Sequence, residues 1–370
     1  MKNQSVFFRT AAAVVLCTVL TGCRASSSLP EQTTGSQTAA VTEQSDTTGT
    51  VTEQSGTTAS APETTASSVP PQRYTFNPKV CSHYMEEVFG EKMCQAWFHL
   101  VDAILAGEDT FACPDQFTYE WMIGQFPHLC LPPVQNLIDC YTEEESPIKD
   151  GVARFRYVVP KEKVQQEIDR FGKKVEEILN EALRPDDTDF EKALVLYQYF
   201  TDNYTYDYAL LSNTDANALS VCHVFYDKKG ICQELSQAYS FLLMELGIDA
   251  TVMSGDNHRW SYVRMNGKNY HIDPTYVLGT HDLAYFMMTD EQRNAGGEYP
   301  KKDFIVTSAY TQFYDHPDYT ADDDTYAALW QTELVSVNRD QNTLTVQTAD
   351  DDLNPVEKTY SFDGTELPAP

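Results

Sequence analysis

The chain has 370 residues, 42% of them hydrophobic and 22% charged, and carries a formal net charge of −29 at pH 7. That acidity repels DNA, RNA and anionic lipid headgroups, so it argues against a nucleic-acid partner and reads as solubility outside the cell. Once a polar N-terminal tract is set aside, roughly 300 residues remain, enough for one large domain or two modest ones.

Lys2 and Arg9 flank the start of the chain, and the apolar run AAAVVLCTVL follows at 11–20. The run is too short to span a bilayer as a stable helix and sits where a secretory h-region belongs. It ends in Leu20-Thr21-Gly22-Cys23, which resembles the bacterial lipobox. That resemblance implies cleavage before Cys23 and lipidation of its thiol, anchoring an exported protein to the outer face of a bacterial cell membrane. An ordinary signal peptide with an incidental cysteine is the alternative. Residues 24–72 are almost entirely Ser, Thr, Gln, Gly, Ala and Glu, with VTEQS at 41–45 and again at 51–55. With so little to bury they are expected to form a disordered tether.

In the body, EKMCQAWFHLVDAILAG at 91–107 has helical apolar spacing ended by Gly107. The proline-rich stretch 108–150 reads as irregular with one or two short helices, and VARFRYVV at 152–159 as a strand. A 3.6-residue stripe through Val164, Ile168, Phe171, Val175 and Ile178 predicts a helix over 162–183. A second helix is expected over about 188–203, capped by Thr188 or Asp187. Residues 205–230 read as a loop-rich approach to Cys232. From 233 the stripe Leu235, Ala238/Tyr239, Leu242 and Leu246 predicts a helix. Gly247-Ile248 reads as its Schellman ending. Cys232 then lies at or just before the first turn. Strands follow at DATVMSG, HRWSYVRM and KNYHIDPTY, and in the tail at ELVSVN, TLTVQT and near KTYSF. Cys81, Cys94, Cys113, Cys130, Cys140 and Cys222 could form three disulfides in an exported protein or serve as small buried hydrophobes.

Asn266-Gly267 between two alternating runs predicts a tight hairpin. As a two-residue loop it sets Met265 opposite Lys268, Tyr262 opposite His271 and Trp260 opposite Asp273. His258 then shares the face of Asp273, diagonal to it and within side-chain reach. Cys232 at a helix N-terminus sees free N–H groups and the positive end of the dipole, which favour thiolate. An imidazole beside it and a carboxylate on the imidazole's far nitrogen would complete an activated nucleophile. Gly230 permits the close backbone approach such a turn needs.

Four segments, YTYDY at 204–208, KGICQELSQAYSFLLMELGIDATVMSG at 229–255, HRWSYVRMNGKNYHIDPTY at 258–276 and AYFMMTD at 284–290, make the chain resemble the transglutaminase-like superfamily over roughly 190–293. The resemblance implies an α+β protein with a papain-like core, its cysteine helix packed on an antiparallel sheet. It assigns Cys232 as nucleophile, His258 as base and Asp273 as orienting acid. The expected organisation is a signal peptide over 1–23, a tether over 24–72, a mainly helical region over 73–185, the transglutaminase-like core over 186–300 and a β-rich region over 301–370. The implied chemistry is attack on an amide carbonyl, a thioester intermediate, and release to an amine or to water, with a protein or peptide substrate and no cofactor. Tyr226, Gln233 and Trp260 are the oxyanion or cleft candidates. The family's usual Cys-x-Gly-Tyr-Ala is here Cys232-Gln233-Glu234-Leu235-Ser236, its His-Ala-Trp-Asn is His258-Arg259-Trp260-Ser261, and its Asp-x-Thr-Trp is Asp273-Pro274-Thr275-Tyr276. These departures bear on substrate choice more than on chemistry.

The alternative function is a non-catalytic surface interaction or adhesion module on the same fold. A metal site from Cys222, His223, Cys232 and His258 lacks zinc-ligand spacing. The acidic runs at 321–324 and 349–352 lack EF-hand order and read as solvated loops. His271 is read as structural, and His281, Trp260 and Tyr262 as walls of the cleft.

Overall fold

The computed structural model describes residues 73–141, 147–212, 219–300, 304–306, 311–312, 319–350 and 352–362. The expected signal peptide with Cys23 and the 24–72 tether lie outside them. The chain order is α1 (His83–Phe89), α2 (Glu91–Ala106), β1 (Thr110–Ala112), α3 (Gln116–Gly124), α4 (Phe126–Cys130), β2 (Ile138–Cys140), β3 (Ile148–Lys149), β4 (Val152–Tyr157), α5 (Lys161–Ala182) and α6 (Asp189–Asn203). Then come β5 (Thr205–Tyr206), α7 (Tyr208–Ser212), α8 (Val221–Asp227), β6 (Lys229–Gly230), α9 (Cys232–Glu245), β7 (Asp249–Gly255), β8 (His258–Met265), β9 (Lys268–Ile272) and α10 (Asp290–Arg293). The last strands are β10 (Ile305–Val306), β11 (Thr311–Gln312), β12 (Glu333–Asn338), β13 (Thr343–Ala349) and β14 (Pro355–Ser361). The class is α+β, as the sequence predicts.

Local chemistry explains the helix ends. At α6 the Thr188 hydroxyl accepts from the Glu191 amide (3.2 Å) while the Glu191 carboxylate accepts from the Thr188 amide (2.8 Å), a reciprocal capping box. At the end of α9, Gly247 adopts a φ of 77°. Its amide donates to Met244 O and the Ile248 amide to Leu243 O, both at 3.0 Å, which is the Schellman pairing. On α5 the predicted stripe Val164, Ile168, Phe171, Val175 and Ile178 is wholly buried.

The central sheet runs in the order β11-β10-β7-β8-β9, antiparallel throughout. Asn266 and Gly267 take φ values of 52° and 74°, the left-handed conformations a type I′ turn requires. The β8–β9 register pairs Met265 with Lys268, Tyr262 with His271 and Ser261 with Ile272, as the turn predicts. The ladder stops there. Pro274 has no amide hydrogen, and the Asp273 side chain accepts instead from the Thr275 amide (3.1 Å), so 273–277 leaves the sheet as a 3-10 turn. The expected Trp260–Asp273 ladder pair is therefore absent.

Helix α9 packs on β7 and β8 through small residues. The Ser240 hydroxyl donates to Thr251 O (3.0 Å) and lies 3.0 Å from the Ser261 hydroxyl, which donates to Ser236 O (3.1 Å). Short side chains at all three positions let helix and strand approach closely. Before the core, β1, β2 and β3 pair with β4 in a small antiparallel sheet. Only β4 was legible, because the other strands have three residues or fewer. The tail forms the antiparallel meander β12-β13-β14 with Leu344 and Val346 buried on one face.

Residues 74–82 form a strap over α5 and α9. The amides of Tyr74, Phe76 and Asn77 donate to side-chain oxygens of Asn180 (3.0 Å), Glu176 (3.1 Å) and Glu245 (2.8 Å). The Phe76 ring sits on Gly172, where any Cβ would lie 2.6 Å from the ring. At the strap's end Cys81 is disulfide-bonded to Cys94 of α2. Cys113 and Cys130 are free and buried, Cys140 and Cys222 free and half-buried, so the cysteines divide between both expected uses.

Candidate active site

Cys232 is the first residue of α9 and is buried. The two residues before Ile231 form β6, which pairs in parallel with β5 so that Tyr206 lies opposite Gly230. The Asp207 amide donates to Gly230 O (3.0 Å), fixing the turn from outside. Glu234 fixes it from inside. This fully buried carboxylate accepts from the amides of Ile231 (3.1 Å) and Ser220 (2.9 Å) and contacts His223 Nδ1 (3.0 Å). Burial pushes the Glu234 carboxyl up from the usual range, and these donors offset only part of that. Gly230 is required by space: a Cβ would lie 2.8 Å from Val224 Cγ2 and 3.3 Å from the Glu234 side chain. The approach expected to be loop-rich thus contains α7, β5, α8 and β6, elements too short for periodicity to reveal.

The connections bring Cys232 and His258 to one end of the layer. Helix α9 runs away from Cys232, the chain turns at Leu246–Ile248, and β7 returns antiparallel to it, as the Ser240–Thr251 bond requires. β7 ends at Gly255, which pairs with His258, the first residue of β8. The helix start and the strand start therefore share an end of the fold.

His258 is 8% exposed, and its Nε2 meets Asp273 Oδ2 at 2.6 Å. Asp273 is fully buried. Burial alone drives its carboxyl upward, but the charge and hydrogen bond of His258, then Arg293, then the Thr275 amide outweigh it and hold the carboxyl below the usual range. The 3-10 turn after Asp273 packs against α9 and α6. Aromatic rings surround the imidazole: Trp260 stacks at 6.1 Å, Tyr276 lies at 4.6 Å and Tyr299 at 6.0 Å between centroids. The Tyr276 and Tyr299 hydroxyls bond to each other at 2.7 Å, and Tyr276 is 50% exposed, so it forms the solvent side of this collar.

Trp260 and Tyr262 were expected as cleft walls but are both fully buried. Both are large, and the strand's alternation turns them into the core. Trp260 Nε1 donates to His271 Nδ1 (2.7 Å), and His271 Nε2 meets Asp290 Oδ1 (2.9 Å), which makes His271 a structural link. Exposed His281 pairs with Asp202 (3.1 Å). Tyr226 lies in a groove against α5, with the Arg170 guanidinium 3.9 Å over its ring. Gln233 is half-buried in the first turn of α9. In the acidic run at 321–324, Asp323 accepts from the Tyr270 hydroxyl (2.7 Å) and the Thr325 amide (3.1 Å).

Three features of the site left little or no trace in the sequence. Glu234 and His223 brace the turn, and the pattern Gly-x-Cys-x-Glu was their only trace. Tyr276 and Tyr299 form the collar. Arg293 is 4% exposed, with its guanidinium 4.2 Å from the ring centroids of both Trp260 and Tyr299 and 3.3 Å from Asp273 Oδ2.

Residues 176–287 match the family model described as the transglutaminase-like superfamily, which agrees with the resemblance read from the motifs and covers Cys232, His258 and Asp273. One similar solved structure is described as a TGase, with 23% identity and a TM-score of 0.27, covering 36% of this chain and 36% of that one. Another, from Cytophaga hutchinsonii, is described as a candidate cysteine protease, with 15% identity and a TM-score of 0.24, covering 30% of this chain and 38% of that one. The chain thus spans less than two fifths of the length of either. No curated protein matches it. The family match supports a cysteine enzyme at the level of fold.

Proposed function

We propose that the protein is a cysteine enzyme acting on amide bonds through a thioester, with Cys232 as nucleophile, His258 as base and Asp273 as the acid that orients it. The observation that carries this reading is the buried 2.6 Å contact between His258 Nε2 and Asp273 Oδ2. It engages one ring nitrogen and leaves Nδ1 for a thiol, at the end of the layer where α9 begins with Cys232. The N–H groups and dipole of the first turn of α9 favour thiolate there.

In the first half-reaction the Cys232 thiolate attacks the amide carbon, and the electron pair of the C=O bond moves onto oxygen. As that oxyanion collapses the C–N bond breaks, and the His258 imidazolium gives its proton to the departing amine. The second half-reaction reverses the roles. Neutral His258 takes a proton from an incoming amine or water as that group attacks the thioester, and the Cys232 thiolate leaves. An amine yields a new amide; water yields an acid. The amide of Cys232 is the natural first oxyanion donor. The lipobox-like Cys23 and the polar tract after it further support action at the outer face of the cell membrane, on protein or peptide substrates.

The test is incubation of the full chain with a Gln-containing protein plus a primary amine, and separately with peptide alone. Mass spectrometry should find amine incorporation or hydrolysis, with an acyl adduct on Cys232. Cys232→Ala must lose both. If Cys232 also resists alkylation near neutral pH, the enzyme reading fails. The other free thiols are poor competitors, because burial pushes Cys113 and Cys222 up to about 11 and Cys130 and Cys140 up to about 12.

A further inference from the structure

Arg293 ends a four-residue helix, α10, capped by Thr289. That helix grips the site at two points. Asp290 at its start meets His271, and Arg293 at its end meets Asp273. The guanidinium lies 4.2 Å from the centroids of both Trp260 and Tyr299, in the corner of two rings set edge to face, where cation–π attraction holds it. Its Nη2 is 3.3 Å from Asp273 Oδ2, the oxygen that also contacts His258. Neither Nη2 nor Nε has a hydrogen-bond partner with good alignment, so what Arg293 offers Asp273 is chiefly charge.

We infer that Arg293 is a positioning residue: it is a permanent counter-charge that keeps Asp273 ionised and aimed at His258 whichever protonation state the imidazole takes. The inference rests on the proposed roles of Cys232, His258 and Asp273. Its logic follows from the cycle. When His258 is protonated, Asp273 has a cation beside it. When His258 is neutral, a fully desolvated carboxylate would otherwise stand alone, and burying an uncompensated anion is costly enough that it would take up a proton instead. Arginine stays charged at every working pH, so it removes that alternative. Among the described residues no other group facing Asp273 can do this. Besides His258 and Arg293, these are the hydroxyls of Tyr197 on α6 and of Tyr276, Tyr285 and Tyr299, all of which titrate above the ordinary tyrosine range. They remain neutral in the working range.

The same charge also tunes the pair. A fixed cation makes proton loss easier for every acid it faces, and its removal makes it harder. The pH–rate profile of Cys232 alkylation in the full chain should therefore move to higher pH by roughly one unit or more in Arg293→Met. In Arg293→Lys, which keeps the charge, the profile should stay within about half a unit of the parent. A purely structural Arg293 would change melting temperature in both variants and move neither profile. An unchanged Arg293→Met profile in a folded protein overturns the inference. Should that variant not fold, carbon-13 NMR of the Asp273 carboxyl in the parent chain decides, assigned by its loss in Asp273→Asn. The ionised signal is expected to persist from about pH 5 to about pH 9, on both sides of the ordinary imidazole range, and a protonated carboxyl anywhere in that span overturns the inference. If Cys232 of the parent resists alkylation, the enzyme reading falls, while the carboxyl signal still tests Arg293.

Discussion

Glu234 offers the sharpest test of how the turn at Cys232 is built. Its carboxylate has no solvent exposure and is the side-chain acceptor for the amides of Ser220 and Ile231 and a contact of His223. Glu234→Ala leaves two amides without their acceptor. At about 1–3 kcal/mol for each stranded donor, the cost is roughly 2–6 kcal/mol. Against a net stability on the order of 5–15 kcal/mol this is a large fraction. Glu234→Gln keeps the shape but turns one oxygen into an N–H donor facing another donor. It also removes a buried charge whose proton burial already favours retaining, so its cost should be smaller, about 1–2 kcal/mol. Urea unfolding at pH 7 with the slope held constant reads these differences as midpoint shifts. Alkylation of Cys232 reads the turn itself and should slow on the order of tenfold in Glu234→Ala as Gly230–Cys232 relaxes. If Glu234→Ala unfolds within about 0.5 kcal/mol of the parent and Cys232 reacts at the parent rate, Glu234 does not hold the turn.

Three other perturbations have defined outcomes. Asp273→Asn leaves the Arg293 charge buried without its anion and should cost roughly 3–5 kcal/mol, yet Asp273→Asn with Arg293→Met should cost about 1–3 kcal/mol less than the sum of the two, as measured by a double-mutant cycle in urea. Burial pushes the Glu245 carboxyl up to about 8 from an ordinary 4.5. The folded state thus keeps a proton that the unfolded chain releases, so this contribution is full below about pH 4.5 and is lost as pH rises through 8. Glu245 is part-exposed and water screens part of this effect, so Glu245→Gln should gain roughly 1–3 kcal/mol relative to the parent between pH 5 and pH 8, and equal gains at both would contradict it. The Cys81–Cys94 bridge closes a loop with a sequence separation of 13 residues, so Cys94→Ser should lose about 2–3 kcal/mol, read as a urea midpoint that no longer responds to reductant.

What the sequence revealed follows physical scale. The α5 stripe, the Schellman ending at Gly247 and the Asn266-Gly267 turn are each decided within a few residues and are found as read, and of the two expected caps of α6 it is Thr188 that closes the helix. The hairpin register followed from the turn alone. The Trp260–Asp273 pairing did not, because Pro274 ended the ladder one residue early. β1, β2, β3 and α8 escaped because so few residues carry no period. Arg293 escaped for a different reason. Nothing within α10 distinguishes a solvated arginine from a buried one; only the long-range fold, which sets Trp260, Tyr299 and Asp273 around it, makes the difference. Trp260 and Tyr262 were read as walls because parity gives a face but not what covers it.

The strap over α5 and α9 has a mechanical consequence. A pull applied to the chain ahead of Arg73 enters the fold at Tyr74 and loads three amide-to-side-chain bonds, at Asn180, Glu176 and Glu245, together with the Phe76 ring seated on Gly172. Those bonds can give way in turn, but peeling halts at Cys81, where a covalent link carries the tension into α2. Glu245 is the far end of the helix that begins with Cys232. The strap therefore acts as a sacrificial lead, yielding its first few residues while the thiol-bearing end of α9 stays unloaded.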